Sequence, residues 1–180
     1  EMREILGPRG IRVLGAADVG GIPDVEEDGV TFEQNAVKKA REIASATGRT
    51  VLADDSGLSV DALDGAPGVW SARYAGENAT DVDNVDKLLH RMDDVENRRA
   101  RFVCIIAVAS PDRLLGTARG EVAGWIIDEP RGKRGFGYDP VFRPDGYERT
   151  FGELDAAVKN RLSHRAAALH RALDDGLLSF

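Results

Sequence analysis

The strongest constraint on the fold is a run of eight apolar residues, Phe102–Ala109, near the middle of the 180-residue chain. A run of this length is typical of a strand that is buried on both faces, and it is too short to cross a bilayer. We therefore expect it to form a central strand of a β-sheet. With 42% hydrophobic residues, the chain can build a core of ordinary size, and residues 1–180 are expected to form a single domain.

A helix that leads directly into a strand indicates the fold class. Thr31 opens this helix with a Thr-Phe-Glu-Gln capping box, and Gly48 ends it. The side chains on its inner face are Phe32, Ala36, Ala40, Ile43, Ala44 and Thr47. The strand Thr50–Ala53 follows at once, whereas Leu114–Ala118 and Glu121–Ile127 predict two strands joined by a hairpin. These segments predict an α/β fold with a mixed, twisted sheet flanked by helices.

The remaining elements are predicted from capping, periodicity and breaker residues. They are the end of a helix at Glu1–Leu6, a short strand at Ile11–Leu14, a helix at Thr80–Met92 with Val82, Val85, Leu88 and Leu89 facing inward, and a helix at Leu154–Leu173.

Two adjacent carboxylates, Asp54 and Asp55, follow the predicted strand and precede the turn-forming pair Ser56-Gly57. Neighbouring carboxylates beside an apolar segment stay ionised at low cost only if a cation or several donors lie between them, and a divalent metal meets that need. Because strand side chains alternate between faces, one Asp should face the reacting groups while the other supports it. Asp55 is the candidate for the side chain that faces the reacting groups. The alternative is an Asx-type turn in which both side chains cap local backbone N–H groups.

Three further stretches carry groups suited to ligand binding. Residues 22–29 form an acidic loop, and Pro130–Pro140 combines three glycines with basic and aromatic side chains. If Ser163 is an N-cap, His164 and Arg165 fall in the first turn of a helix, where cations oppose the helix dipole unless an anion or acceptor is bound. Solvated loops, and a helix running unbroken from Asp155, are the alternatives.

The charge balance disfavours nucleic-acid binding, and the single cysteine rules out an intramolecular disulfide. The formal charge of −7, from 24 Lys and Arg against 31 Asp and Glu, disfavours binding to a nucleic-acid backbone. Cys104 is the only cysteine, so an intramolecular disulfide is impossible and a buried thiol is expected. The sequence has no signal-peptide pattern and no apolar stretch of membrane-spanning length, so we expect a cytoplasmic protein.

Taken together, the motifs resemble one family, the Ham1 or inosine triphosphate pyrophosphatase family, over nearly the whole chain. The matching segments are Val-Glu-Glu-Asp-Gly (25–29), Thr-Phe-Glu-Gln-Asn-Ala (31–36), Ala-Asp-Asp-Ser-Gly-Leu (53–58), Gly-Ala-Pro-Gly-Val-Trp-Ser-Ala-Arg-Tyr-Ala-Gly (65–76), Gly-Phe-Gly-Tyr-Asp-Pro (135–140), and Lys159 with Ser163-His164-Arg165. The resemblance implies a two-lobed fold with a central cleft, a homodimer, and Mg²⁺-dependent hydrolysis of ITP, dITP and XTP to the monophosphate and pyrophosphate.

The resemblance also implies roles for individual residues. Glu26 and Asp55 would hold Mg²⁺, and Asp55 would also be the general base, with the neighbouring Asp54 as the alternative base. The implied substrate-binding residues are Ser56, Phe136, Gly137, Tyr138, Asp139, Lys159, His164 and Arg165. A purine could stack on Phe136 or Tyr138.

The family pattern begins with a strand and a Thr/Ser-x-Asn-x-x-Lys loop that grips the triphosphate, and the given sequence starts just after them. A Maf-like pyrophosphatase and a nucleotide-binding module without turnover are the alternatives, of which the second belongs to a different functional class. Metal-dependent release of pyrophosphate distinguishes an enzyme from a binding module.

Overall fold

The computed structural model describes residues 2–179 as an α/β fold with a β-sheet flanked by helices, which confirms the predicted class. The helices are α1 (Met2–Leu6), α2 (Phe32–Thr47), α3 (Asp81–Arg91), α4 (Ala156–Leu162) and α5 (His164–Asp174), and the strands are β1 (Val51–Val60), β2 (Arg99–Ala109), β3 (Leu114–Ile126) and β4 (Phe142–Pro144). The strands lie in the order β1-β2-β3-β4, and β4 pairs antiparallel with β3.

Two compact units share these strands. Unit 1 comprises residues 1–56, 104–120 and 164–180, and unit 2 comprises residues 57–103 and 121–163. Each of the three long strands contributes its two ends to different units. The single domain and the cleft expected from the sequence stay predictions.

The core of unit 1 lies on both faces of β2. Cys104, Ile106 and Val108 belong to one cluster, which also contains buried residues of α1 and α5. Ile105, Ala107 and Ala109 alternate with them and pack in a second cluster against the alanine face of α2. The prediction that Phe102–Ala109 is a strand buried on both faces is therefore confirmed, as is the buried thiol of Cys104.

The core of unit 2 is built around three phenylalanine rings. The ring centroids of Phe102 and Phe142 are 4.6 Å apart, and those of Phe142 and Phe151 are 5.4 Å apart. Leu58 and Val60 of β1 are buried in the same cluster, together with residues of α3. Apolar side chains thus anchor both the end of β1 and the loop that precedes α4 in unit 2.

The caps of α2 follow the sequence closely. Thr31 is the N-cap, and its hydroxyl accepts a 3.2 Å hydrogen bond from the Gln34 backbone N–H. The Gln34 side chain accepts from Val30 N–H rather than from Thr31 N–H, so the capping box is shifted by one residue. Gly48 ends the helix in the left-handed conformation, as predicted.

Two predicted turns are wrong because tertiary packing overrides local turn propensity. β1 continues through Ser56-Gly57, since the strand must still deliver Leu58 and Val60 to the core of unit 2. The predicted hairpin around residue 120 is instead the middle of the continuous strand β3. A Cβ added at Gly120 would lie 2.2 Å from the Ala168 backbone nitrogen of α5, so this glycine permits close approach and does not mark a turn.

Three other expectations need correction. Residues 11–14 form no strand, because Ile11 N–H and the Val13 carbonyl bond locally, to Leu6 and Arg3 respectively. The predicted helix over residues 154–173 is two helices, since Ser163 has an extended backbone with ψ of 149°. Val82 on α3 is 67% exposed rather than inward-facing. Within residues 2–179, none of the helices has the length and apolarity needed to span a membrane.

Candidate active-site residues in two units

The paired carboxylates on β1 contact different partners in unit 1. Asp54 Oδ2 accepts hydrogen bonds from Nε and Nη2 of Arg165, at 3.0 and 2.9 Å. Asp55 Oδ2 accepts from Asn35 Nδ2 at 3.1 Å, and its Oδ1 lies 3.5 Å from the Lys39 ammonium. Alternation along the strand explains this division. The Asx-turn alternative is wrong, because both carboxylates are engaged by side chains of distant helices.

Asp55 shares the Lys39 ammonium with a second acid, Glu27. Lys39 Nζ lies 3.0 Å from a Glu27 oxygen. Asp55 is only 8% exposed, and its burial raises the pKa of this carboxyl above the usual range, although the charge of Lys39 opposes the rise and that of Glu27 adds to it. A carboxylate with a raised pKa beside a cation is a suitable proton acceptor near neutral pH.

Glu26, the predicted partner of Asp55, has a different immediate environment. The 2.8 Å hydrogen bond from the Lys38 ammonium to Asp28 is the main cause of the raised pKa of Lys38, and the charge of Glu26 adds to the rise. Among the acids of this loop, Glu27 is the one that shares a cation with Asp55. The metal-binding role of Glu26 stays a prediction.

The donor set around Asp55 fits Mg²⁺. Across residues 2–179, no three His, Cys, Asp or Glu side chains form a group able to hold a metal by themselves. Mg²⁺ commonly takes one or two carboxylates and completes its octahedron with water and substrate phosphate oxygens, so it does not need such a group. Asp55 and Glu27 share the single Lys39 ammonium, so the two carboxylates and this cation together carry a net negative charge. Carboxylate oxygens with uncompensated negative charge suit a hard cation.

The start of α5 presents His164 and Arg165 in its first turn, as predicted from Ser163. Ser163 is extended and ends α4, which separates the two helices. His164 is 8% exposed, and Arg165 is held by Asp54 through the contacts described above. Ser56 follows Asp55 on β1 and is half-buried. Unit 1 thus contains Glu26, Asp55, Ser56, His164 and Arg165 from the predicted site.

Unit 2 contains the other predicted residues, on the loop 135–139 and on α4. The Asp139 carboxylate accepts a 2.8 Å hydrogen bond from Phe136 N–H and is also paired with the Lys159 ammonium. Burial raises the pKa of Asp139, and Lys159 opposes that rise. The Lys159 ammonium lies 4.5 Å from the centroid of the Phe136 ring, within cation–π range.

The two aromatic residues of the loop differ in exposure. The Phe136 side chain is 64% exposed, whereas Tyr138 is 3% exposed and donates its hydroxyl hydrogen to the Ser71 carbonyl at 2.9 Å. Burial raises the pKa of the Tyr138 phenol, as expected of a hydroxyl enclosed by protein. Of the two rings, only Phe136 offers a face to a ligand in this structure.

Three polar residues that were not predicted from the sequence contact the predicted site residues. Asn35 and Lys39 on α2 hold Asp55, and Asp81 on α3 accepts a 2.6 Å hydrogen bond from Gly137 N–H. A signal existed for the first two, because they lie at i and i+4 on a helix and border its alanine face. Asp81 gave no such signal, since its partner is 56 residues away.

Comparison with known proteins agrees with the motifs. The Ham1 family model matches residues 1–175. A dITP/XTP pyrophosphatase of Bacillus licheniformis is 50% identical over 173 residues, which cover 95% of this chain and 88% of the relative. The dITP/XTP pyrophosphatase of Bacillus subtilis is 48% identical over 173 residues, with coverage of 95% and 87%.

Solved structures show the same likeness. The Ham1 protein of Staphylococcus aureus is 42% identical and superimposes with a TM-score of 0.86, covering 97% of this chain and 91% of that chain. The HAM1 protein of Coxiella burnetii, also 42% identical, gives a TM-score of 0.88 with coverage of 97% and 90%. The match of the family model to residues 1–175, together with these relatives, shows that this chain belongs to the Ham1 family.

Proposed function

We propose that this protein hydrolyses non-canonical purine nucleoside triphosphates, namely dITP, ITP and XTP, to the monophosphate and pyrophosphate, and so removes them from the nucleotide pool. The observation that carries the proposal is the buried Asp55 carboxylate beside the Lys39 ammonium, in a chain about half identical to proteins named dITP/XTP pyrophosphatases. Family membership disfavours the Maf-like alternative.

Asp55 is proposed as the general base. The oxygen of a water molecule would attack the α-phosphorus, the bond from that phosphorus to the departing pyrophosphate would break, and Asp55 would accept the proton of the water. The raised pKa of Asp55 supports this role, because a more basic carboxylate is a better acceptor once it is ionised. The Lys39 ammonium favours the ionised form of the carboxylate and orients it through their 3.5 Å contact.

Mg²⁺ is proposed as the cofactor, with Asp55 as one protein ligand and Glu26, which the family resemblance implies, as the other. Glu26 precedes Glu27, the acid that shares the Lys39 ammonium with Asp55. When bound, Mg²⁺ supplies charge neutralisation on the phosphate oxygens and on the departing pyrophosphate. The oxygen-only acids near Asp55 support this choice over a softer metal, which would favour Cys or His ligands.

Selection of the base is proposed to rest on hydrogen-bond donors. His164, Arg165 and Lys159, which the family resemblance assigns to the substrate, are hydrogen-bond donors. A 6-oxo group, as in hypoxanthine or xanthine, can accept from such residues, whereas the 6-amino group of adenine would meet a donor with a donor. Asp54 fixes Arg165, and Asp139 fixes Lys159, so each cation is already oriented in its own unit. Phe136 is the proposed stacking ring because its face is exposed.

The first experiment measures pyrophosphate release from dITP, ITP and XTP, with dATP, ATP and GTP as controls. The wild-type protein should release pyrophosphate from the first group in Mg²⁺ and lose this activity in EDTA. Asp55→Asn should reduce kcat by about a hundredfold or more. Asp93→Asn is the matched control, because Asp93 forms an exposed pair with His90. A folded wild-type protein that binds dITP but releases no pyrophosphate would establish the binding-module alternative.

Two further features belong to the same proposal. A homodimer is proposed from the family resemblance, and light scattering coupled to gel filtration would reveal a monomer if this is wrong. Action on the free nucleotide pool supports a cytoplasmic location, which fluorescence microscopy of a tagged protein can check.

A further inference from the structure

The loop 135–139 in unit 2 is held by two carboxylates at two consecutive amides. Phe136 N–H donates to Asp139 at 2.8 Å, and Gly137 N–H donates to Asp81 at 2.6 Å. Asp139 lies within the loop itself, whereas Asp81 is the first residue of α3. Bonds from N–H to a carboxylate are shorter and stronger than bonds between neutral groups. The conformation of the loop therefore depends on a residue that is distant in sequence.

The backbone of this loop leaves few alternatives for the direction of these amides. Gly137 has φ of +57°, a conformation that favours glycine, and its N–H direction follows from that conformation. A Cβ at Gly135, where φ is +79°, would lie 1.9 Å from an Asp139 oxygen. Consequently the loop is a tight turn, and the bond to Asp81 ties its middle to α3.

The Phe136 side chain is the exposed element that these bonds orient. Its ring is 64% exposed, and it contacts the Lys159 ammonium at 4.5 Å from the ring centroid. Lys159 is in turn paired with Asp139. The Gly137 N–H belongs to the peptide group that joins Phe136 to Gly137. Loss of the hydrogen bond at this N–H therefore frees the backbone of Phe136 to move.

We propose that Asp81 is a positioning residue for nucleotide binding, which acts through Gly137 N–H to hold the Phe136 ring ready to stack on the purine base. The proposal rests on the proposed function for its substrate. Asp81 bonds to the loop that carries the proposed stacking ring, so its contribution should be made equally before and during the chemical step. Loss of such an interaction raises KM and leaves kcat nearly unchanged.

The first turn of α3 offers a matched control. Asp83 accepts a 2.8 Å hydrogen bond from Thr80 N–H in the capping box of α3, so its removal weakens the same helix end without removing the bond between Asp81 and Gly137 N–H. Both acids also interact favourably with the helix dipole. Asp83→Ala should lower Tm by about 2–4 °C and leave KM for dITP unchanged.

The kinetic test compares Asp81→Ala, Asp81→Asn and Asp83→Ala with dITP as substrate. Asp81→Ala should raise KM by about fivefold to tenfold with kcat within about twofold of wild type. Asp81→Asn retains an oxygen that accepts from Gly137 N–H, so its KM should stay close to the wild-type value. Equal KM values for Asp81→Ala and wild type, an equal rise in Asp83→Ala, or an Asp81→Asn variant as impaired as Asp81→Ala would each overturn the proposal.

A second readout is independent of turnover. In an NMR spectrum, the short bond to a carboxylate should place the Gly137 amide proton downfield, and Asp81→Ala should move it upfield while Asp83→Ala leaves it in place. An unchanged Gly137 resonance in Asp81→Ala would overturn the proposal even if KM had changed. If the wild-type protein releases no pyrophosphate, the proposed function has failed, and the resonance still decides whether Asp81 positions the loop.

Discussion

Replacing Gly120 by alanine should destabilise unit 1, because α5 passes directly over this position of β3. The added Cβ would lie 2.2 Å from Ala168 N and 2.2 Å from His164 O, both backbone atoms of α5. Normal contact needs roughly 3.5 Å, so the helix must retreat by about 1 Å. A side chain could rotate away from such a clash, but a helix backbone cannot.

The expected cost follows from the kind of atoms that collide. Overpacking a core costs about 1–3 kcal/mol. Because the added methyl group of Gly120→Ala collides with the backbone of a helix, which cannot rotate away, we expect a cost at the upper end of this range, about 3 kcal/mol. For a chain of 180 residues, this loss lowers Tm by about 6–12 °C. Thermal unfolding followed by circular dichroism measures it directly.

Gly15→Ala is the matched control in the same unit. Its Cβ would meet only the Arg3 and Asp18 side chains, at 3.5 and 3.7 Å, which is ordinary van der Waals distance. Its free energy of unfolding should change by about 0.5 kcal/mol or less. If the Tm of Gly120→Ala lies within about 2 °C of the Tm of Gly15→Ala, the reasoning is refuted, because α5 can then move aside at little cost.

Three further predictions concern buried or half-buried polar groups. Asp55→Asn should increase the free energy of unfolding at neutral pH, because burial, which raises the pKa of Asp55, makes its ionised form costly in the folded state. This gain in stability should shrink as pH falls through the raised pKa and vanish below the pKa of Asp55 in the unfolded chain. Unfolding measured at several pH values tests this, and a gain that grew with acidity would contradict the assignment. Arg98→Ala should cost about 2–3 kcal/mol in urea unfolding, because its guanidinium donates to the carbonyls of Met92, Ile126 and Ile127, and Arg98→Lys should restore little of this since an ammonium lacks the planar fork. Tyr138→Phe should cost about 1 kcal/mol through the lost bond to Ser71 and leave KM for dITP unchanged; a marked rise in KM would implicate Tyr138 rather than Phe136 in binding the base.

Much of the fold could be predicted because its signals are local. The continuous apolar run gave β2, and the Thr31 cap with Gly48 gave both ends of α2. Ser163 correctly predicts where α5 begins, although the helical pattern of residues 154–173 does not separate α4 from α5. These features depend on residues within one or two turns of each other, which a sequence pattern displays directly.

The errors arose where distant parts of the chain decide the conformation. Ser56-Gly57 and Gly120 have the composition of turns, yet both lie inside strands because of what packs against them. The partners of the candidate site residues were missed for the same reason, since Lys39 meets Asp55 and Asp81 meets Gly137 only in the folded chain. Spacing in sequence predicts which residue types can do the chemistry, but it does not predict which neighbours hold them.

The division of the strands between the two units bears on how the chain folds during synthesis. Unit 2 is complete once residue 163 has been added, whereas unit 1 needs residues 164–180 although it also contains residues 1–56. At about 5–20 residues per second, residues 164–180 follow within a few seconds. Until then the apolar face of β2 that packs against α1 and α5 lacks the part of its cover that α5 supplies, so we expect an interval in which chaperone binding or aggregation competes with completion of unit 1.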